Sequence, residues 1–191
     1  GYGIGEANKF CDENTPLNPI SHYGVTKSKA ENEVLKYKNS VCFRLATVFG
    51  YSYRMRTDLL VNNFVYLAIK DKKLELFESH FRRNFVHIND VINAFDFAIN
   101  NFSKLKGQTY NLGLSSANID KLTLAKKIKK FVKNLKIIIR ENKKDPDKRD
   151  YFVSNKKIEK MGFKAKITLE TGIKELVEIL KYSKINIRNN Y

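Results

Sequence analysis

Short apolar runs alternate along the chain with longer stretches in which apolar residues recur every third or fourth place, which predicts strands and helices in turn. No Pro or Gly falls between Val25 and Asn39, and Pro19 and Ser21 stand ahead as start signals, so a helix is expected to run to about Lys38. Residues 40–48 read as one buried strand ending at Phe49-Gly50, by length and β-branched content. A polar, arginine-bearing loop over 51–58 leads to an apolar helix over 59–69 and a short strand over 74–77. Residues 84–88 are strand-like, and Asn89 or Asp90 is expected to cap a helix over 91–101. A strand over 109–113 precedes an amphipathic helix over 122–132, with Leu124, Ile128, Phe131 and Val132 on one side. An edge-like strand over 136–140, a helix over 155–161 stopped by Gly162, and a helix from about 169 to 182 finish the chain. The alternation predicts an α/β fold without internal repeats, linkers or low-complexity tracts.

The first helix carries the candidate chemistry. Tyr23, Lys27, Ala30 and Val34 fall on one stripe of a 3.6-residue period, so Lys27 points the same way as two apolar residues. Burying its charge unpaired is costly, so it is expected to act on something held at that face. The nearest titratable group is Tyr23, and a cation about one turn away favours the phenolate and makes the phenol usable as an acid/base. Tyr-x-x-x-Lys alone has little specificity, because the chain contains a second copy, Tyr66 to Lys70, among its 10 Tyr and 36 Lys+Arg. That copy closes an apolar helix, where Lys70 is expected to reach solvent. The first copy differs in context: Pro16-Leu17-Asn18-Pro19 ahead, Gly24 beside the tyrosine, and Ala30-Glu31 after the lysine.

At 191 residues and 42% hydrophobic, the chain can bury a sizeable core, and no apolar run approaches the roughly 18 residues of a membrane span. A net charge of +16 suggests nucleic acid, but the lysines are spread over several helices, as in Lys126-Lys127, Lys129-Lys130 and Lys156-Lys157, facing away from the apolar stripes. No zinc-ligand spacing or RNP-like motif accompanies them, so no nucleic-acid partner is expected. The charge instead favours anionic small molecules. Cys11 and Cys42 are read as free thiols in a reducing, cytoplasmic setting, with Cys42 buried in its apolar run. His22, His80 and His87 form no ligand cluster, and no metal is expected. His87 is read as a hydrogen-bonded structural imidazole.

The run from Pro19 to Glu31 resembles the active-site helix of extended short-chain dehydrogenases, specifically the NAD-dependent epimerase/dehydratase family acting on nucleotide sugars. Three later stretches are similar to that family in the same order. Arg82-Arg83-Asn84-Phe85-Val86-His87-Ile88-Asn89-Asp90-Val91 resembles its Arg-Asp-Phe-Ile-His-Val-x-Asp-Val signature, with Asn84 replacing Asp. Asp145-Pro146-Asp147-Lys148-Arg149-Asp150-Tyr151 resembles its Asp-x-Arg-x-Tyr segment. Lys160-Met161-Gly162-Phe163 with Leu169-Glu170-Thr171-Gly172-Ile173 resembles its closing pattern.

The resemblance implies an α/β fold comprising the C-terminal part of a doubly wound Rossmann-type domain and a smaller α/β substrate-binding region. Residues 1–50 would belong to the first and 51–191 mainly to the second, with 84–101 returning to the Rossmann part. It assigns Tyr23 and Lys27 to catalysis and cofactor contact. Ala46, Thr47 and Val48, at a strand's carboxyl end, would border the nicotinamide or the sugar. Asn63, preferred to Asn62, and Arg83 would contact the diphosphate, and Arg149 the nucleotide. The Asn84 substitution is expected to remove an ion pair that would orient Arg83. Gly1, Gly3 and Gly5 do not make a dinucleotide fingerprint, which needs a preceding strand and a following helix, so they are expected to form a loop. The family's catalytic Ser or Thr would then lie just upstream of Gly1.

The expected activity is transient oxidation of a nucleotide-diphosphate sugar by NAD, with NADP as the other possibility. Tyr23 takes the proton of a sugar hydroxyl, and Lys27 holds the nicotinamide ribose. Epimerisation is preferred, since no Asp-Glu pair follows the Ser/Thr position. Dehydratase and reductase chemistry of the same family stay open, as do a non-catalytic nucleotide-binding relative and a basic nucleic-acid binder. The intact enzyme is expected to be a homodimer. The chain as given is expected to be an incomplete, inactive part of it that does not bind NAD measurably.

Overall fold

The computed structural model describes residue 2, residues 9–140 and 149–182, and the backbone of 187–188. In chain order the elements are β1 (Phe10–Cys11), α1 (His22–Leu35), β2 (Val41–Leu45), β3 (Thr47–Phe49), β4 (Met55–Arg56), α2 (Leu60–Lys70), β5 (Lys73–Phe77) and β6 (Arg82–His87). There follow α3 (Ile88–Asn100), α4 (Phe102–Leu105), β7 (Gln108–Leu112), β8 (Asn118–Asp120), α5 (Lys121–Lys129), β9 (Lys136–Arg140), β10 (Phe152–Val153), α6 (Lys156–Lys160), α7 (Leu169–Tyr182) and β11 (Ile187–Arg188). The fold is mixed α/β, as expected. Its strand pairs are parallel, except for β6 with β8.

The apolar run at 40–48 is not one strand with one neighbour. Val41 to Leu45 pair with residues 108–112 of β7, whereas Thr47 to Phe49 pair with Phe85 to His87 of β6. Ala46 lies at the fork, its N–H donating to the Leu112 carbonyl at 2.8 Å. The hydrophobic pattern is continuous across the fork, because both halves are shielded by sheet on one side. Nothing local marks the change of partner.

The core forms where α2 packs against α5, α7 and β5. Phe49, Leu74, Leu76, Phe85, Tyr110, Leu124, Ile128 and Leu176 are fully buried there. Burying a side chain of this size contributes roughly 1.5–3 kcal/mol before entropy is counted. The helices expected at 59–69 and about 169–182, α2 and α7, are thus held by packing on each other and on the core. The Ser21 start signal holds: its side chain accepts from the Gly24 N–H at 3.1 Å. The end of α1 comes at Leu35, short of Lys38.

The cap of α3 corrects the expectation of Asn89 or Asp90. The helix starts at Ile88, and His87 caps it, Nδ1 accepting from the Asn89 N–H at 3.3 Å. His87 is fully buried. Its imidazole is structural, as read. Asp90 is buried too, and its Oδ2 accepts from the N–H groups of Lys166 and Ile167 at 3.0 and 2.8 Å. It ties the start of α3 to the segment before α7, a contact 76 residues away in sequence.

Candidate active site

A cleft of about 460 Å³ opens between α1, β2 and the segment around Tyr151. Tyr23 and Lys27 of α1, Ala46 at the fork and Arg149 all line it. They come from three separate parts of the sequence, α1, the fork and the segment at 149–151, and the fold brings them to one surface. The Lys27 ammonium lies 5.5 Å from the centre of the Tyr23 ring, as four-residue spacing on a helix dictates.

The stripe on α1 is less enclosed than its apolar members suggested. No residue of α1 is buried, and Tyr23 is 70% exposed. The stripe faces the cleft rather than the core, because among the described elements α1 rests chiefly on β2. Lys27 thus keeps its solvent, and the premise of a buried unpaired charge does not apply.

The other predicted residues do not line the cleft. Thr47 and Val48 are half-buried in β3 and do not line the cleft. Asn62 is buried and fully occupied: its Oδ1 accepts from the Gly50 N–H at 3.1 Å, and its Nδ2 donates to the Arg56 carbonyl at 2.9 Å. Asn63, half-buried, is the asparagine of the pair not consumed in holding that loop. Arg83 is 2% exposed, donates through Nη1 to the Arg82 carbonyl at 2.8 Å, and stands 6.0 Å from the Tyr151 ring. Asn84 has a job of its own. Its Nδ2 donates to the Leu114 carbonyl at 2.8 Å, and its Oδ1 sits where a Cβ on Gly113 would come within 1.6 Å. Residues 1, 3–8 and 141–148, including Gly1, Gly3 and Gly5 and Asp145 to Lys148, lie outside the described residues.

Cys42 departs from the expected buried thiol: it is half-buried and lines the cleft. Burial, and next the Glu31 charge, push its thiol up, which disfavours the nucleophilic thiolate.

A polar network on the cleft floor escaped the sequence reading. Arg44 donates through Nε and Nη2 to the Glu31 carboxylate at 2.9 and 2.6 Å, and through Nη1 to the Tyr2 hydroxyl at 2.9 Å. The Tyr2 oxygen lies 2.7 Å from Asn111 Oδ1. Burial works against the Arg44 charge, but the hydrogen bonds to Glu31 and Tyr2 outweigh it and hold the guanidinium firmly protonated. Burial pushes the Tyr2 phenol up, against Arg44 and Asn111. One signal was visible: Arg44 is the only charged residue in its apolar strand.

The family model described as NAD dependent epimerase/dehydratase family matches residues 2–113. A Bacillus subtilis protein named as an uncharacterized UDP-glucose epimerase, YtcB, is 33% identical over 57% of this chain and 35% of its own length. The dTDP-glucose 4,6-dehydratase of Bacillus anthracis, solved in complex with NAD, superposes with a TM-score of 0.78 at 22% identity, over 96% of this chain and 59% of that one. The UDP-glucose 4-epimerase of Thermus thermophilus, also with NAD, superposes at 0.75 and 19% identity, over 95% and 61%. The chain thus spans about three fifths of the length of either solved structure. The blocks read from the sequence, the parallel α/β fold and the match over 2–113 agree: this chain belongs to the NAD-dependent epimerase/dehydratase family.

Proposed function

We propose that this chain supplies the acid/base pair and the nucleotide-sugar contacts for transient oxidation of a nucleotide-diphosphate sugar to a keto-sugar, with epimerisation as the net result. The observation that carries the reading is the convergence of Tyr23, Lys27, Ala46 and Arg149 on one cleft.

The residues suit a nicotinamide dinucleotide. A phenol and an ammonium stand one turn apart beside a cleft walled by Ala30, Val34 and Phe43, so a polar edge and an apolar face are offered together. NAD, when bound, supplies acceptance and return of a hydride. Tyr23 takes the proton of the sugar hydroxyl and gives it back, and Lys27 holds the nicotinamide ribose. Arg149, exposed on the cleft, is the better placed arginine for the nucleotide, whereas Arg83 is buried under Tyr151. Residues 1–50 are assigned to the cofactor-binding part, 51–191 mainly to the sugar-nucleotide part, and the working enzyme to a cytoplasmic homodimer. The solved dehydratase of this fold keeps elimination of water as the second reading.

The test is incubation of the full-length protein with NAD and a panel of nucleotide sugars, products read by NMR. An inverted carbinol centre is expected. A keto-deoxy product would assign dehydration instead, and conversion undiminished by Tyr23→Phe would overturn the mechanism.

A further inference from the structure

The face of α1 that carries Tyr23 and Lys27 continues to Glu31, since residues spaced by four stack along one side of a helix. That third member is the helix's anchor. Its carboxylate receives Arg44 Nε at 2.9 Å and Nη2 at 2.6 Å, side by side, and the two side chains are only 13% and 18% exposed. Among the described residues this is the one ion pair joining α1 to the sheet.

Arg44 is itself fixed. Its Nη1 donates to the Tyr2 hydroxyl at 2.9 Å and to the Glu13 carbonyl at 3.3 Å, and Tyr2 leans on Asn111 of β7. Asn111 in turn donates its N–H to Glu13 Oε1 at 2.7 Å. The guanidinium fork therefore presents a rigid, directional socket to Glu31, which a lysine could not reproduce.

Within this chain apolar packing does little of this work, because no residue of α1 is fully buried and only Val25 and Leu35 among its large apolar side chains are half-buried. A helix lying on a sheet without buried anchors is free to roll about its axis, and a roll of one residue would carry Tyr23 and Lys27 off the cleft. Largely desolvated ion pairs add little net stability and are better suited to fixing geometry.

We propose that Glu31 and Arg44 are positioning residues: their ion pair sets the rotation of α1 on β2 and so presents Tyr23 and Lys27 to the cleft. This rests on the reading of Tyr23 and Lys27 as the reacting pair.

The experiment compares Glu31→Gln, Arg44→Lys and the charge swap Glu31→Arg with Arg44→Glu against the wild type, in the full-length protein. Amide hydrogen exchange is expected to rise about tenfold or more across α1 in both single variants, while β5, β6 and α7 stay protected. With nucleotide sugar and NAD, kcat is expected to fall by about tenfold or more with KM changed less than about twofold, and the swap to recover part of both losses. Unchanged exchange in α1 overturns the proposal. So does faster exchange spread evenly over every element, which would mark a role in global stability. Tyr23→Phe is run beside them. If it still turns over, the mechanism is wrong, and exchange alone judges the ion pair. If it is dead while the other variants match wild type, only the positioning role fails.

Discussion

Lys27 holds its ammonium 5.5 Å from the centre of the Tyr23 ring. Lys70 stands 5.6 Å from the ring of Tyr66, so the second Tyr-x-x-x-Lys reproduces the pair's internal geometry. What differs is the setting, a cleft shared with Ala46 and Arg149 against the last turn of α2. Tyr23→Phe is therefore expected to lower kcat by about 10²–10⁴, the usual worth of a positioned acid/base, and Tyr66→Phe to leave it within about twofold. Steady-state kinetics of the two variants side by side checks this, and equal losses would contradict it.

Gly113 is required by Asn84. A Cβ at 113 would meet Asn84 Oδ1 at 1.6 Å and its Cγ at 2.8 Å, and Asn84 is pinned by its bond to the Leu114 carbonyl. Gly113→Ala is expected to cost about 2–4 kcal/mol in urea unfolding, from overpacking plus a disturbed buried amide. The pair Gly113→Ala with Asn84→Ala should be markedly less destabilised than the sum of the singles, since truncating Asn84 removes the atoms that the new Cβ would meet.

Asp90 links two distant segments by accepting two backbone N–H groups in a buried place. Asp90→Ala is expected to cost about 2–4 kcal/mol, because the backbone N–H groups of Lys166 and Ile167 would lose a charged acceptor at a partly buried site. Hydrogen exchange should locate the damage at 166–167 and the start of α7.

How much of this was legible beforehand depended on whether the information was local. The ends of α7 and β9 were placed by periodicity and turn residues, and α2 to within one residue. The cleft members Tyr23, Lys27 and Arg149 were legible because each sits in a motif with its own neighbours. The fork at Ala46 was not, since its cause is the arrival of β6 and β7, tens of residues downstream. Nor was the capping of α3: His87 caps through an imidazole nitrogen, whereas pattern rules look for Asp, Asn, Ser or Thr. Arg44 was visible as a lone charge in an apolar strand, but Glu31, 13 residues away, could be named its partner only in three dimensions.

The Arg82–Asp150 pair makes part of the stability acid-sensitive. Asp150 Oδ1 accepts from both the backbone N–H and Nε of Arg82 at 2.8 Å, and Oδ2 from Nη2 at 3.1 Å. Burial pushes its carboxyl up, but the bonds from Arg82 outweigh that and hold it below the usual carboxylate range. A depressed folded value means that the stabilisation is complete above the unfolded value of about 3.9 and is lost as pH falls through the lower folded one. The gap in urea midpoint between wild type and Asp150→Asn should thus be constant from about pH 7 to 5 and shrink below about pH 4. A gap of the same size in strong acid would contradict it.

The shallow seat of α1 has a thermal consequence. An element without deeply packed side chains detaches at a lower temperature than the aromatic and aliphatic centre melts. On gradual warming, turnover should fade while the far-ultraviolet signal of the remainder persists, and cooling from that interval should restore it. The chemistry would then be the most heat-labile property of a comparatively robust scaffold.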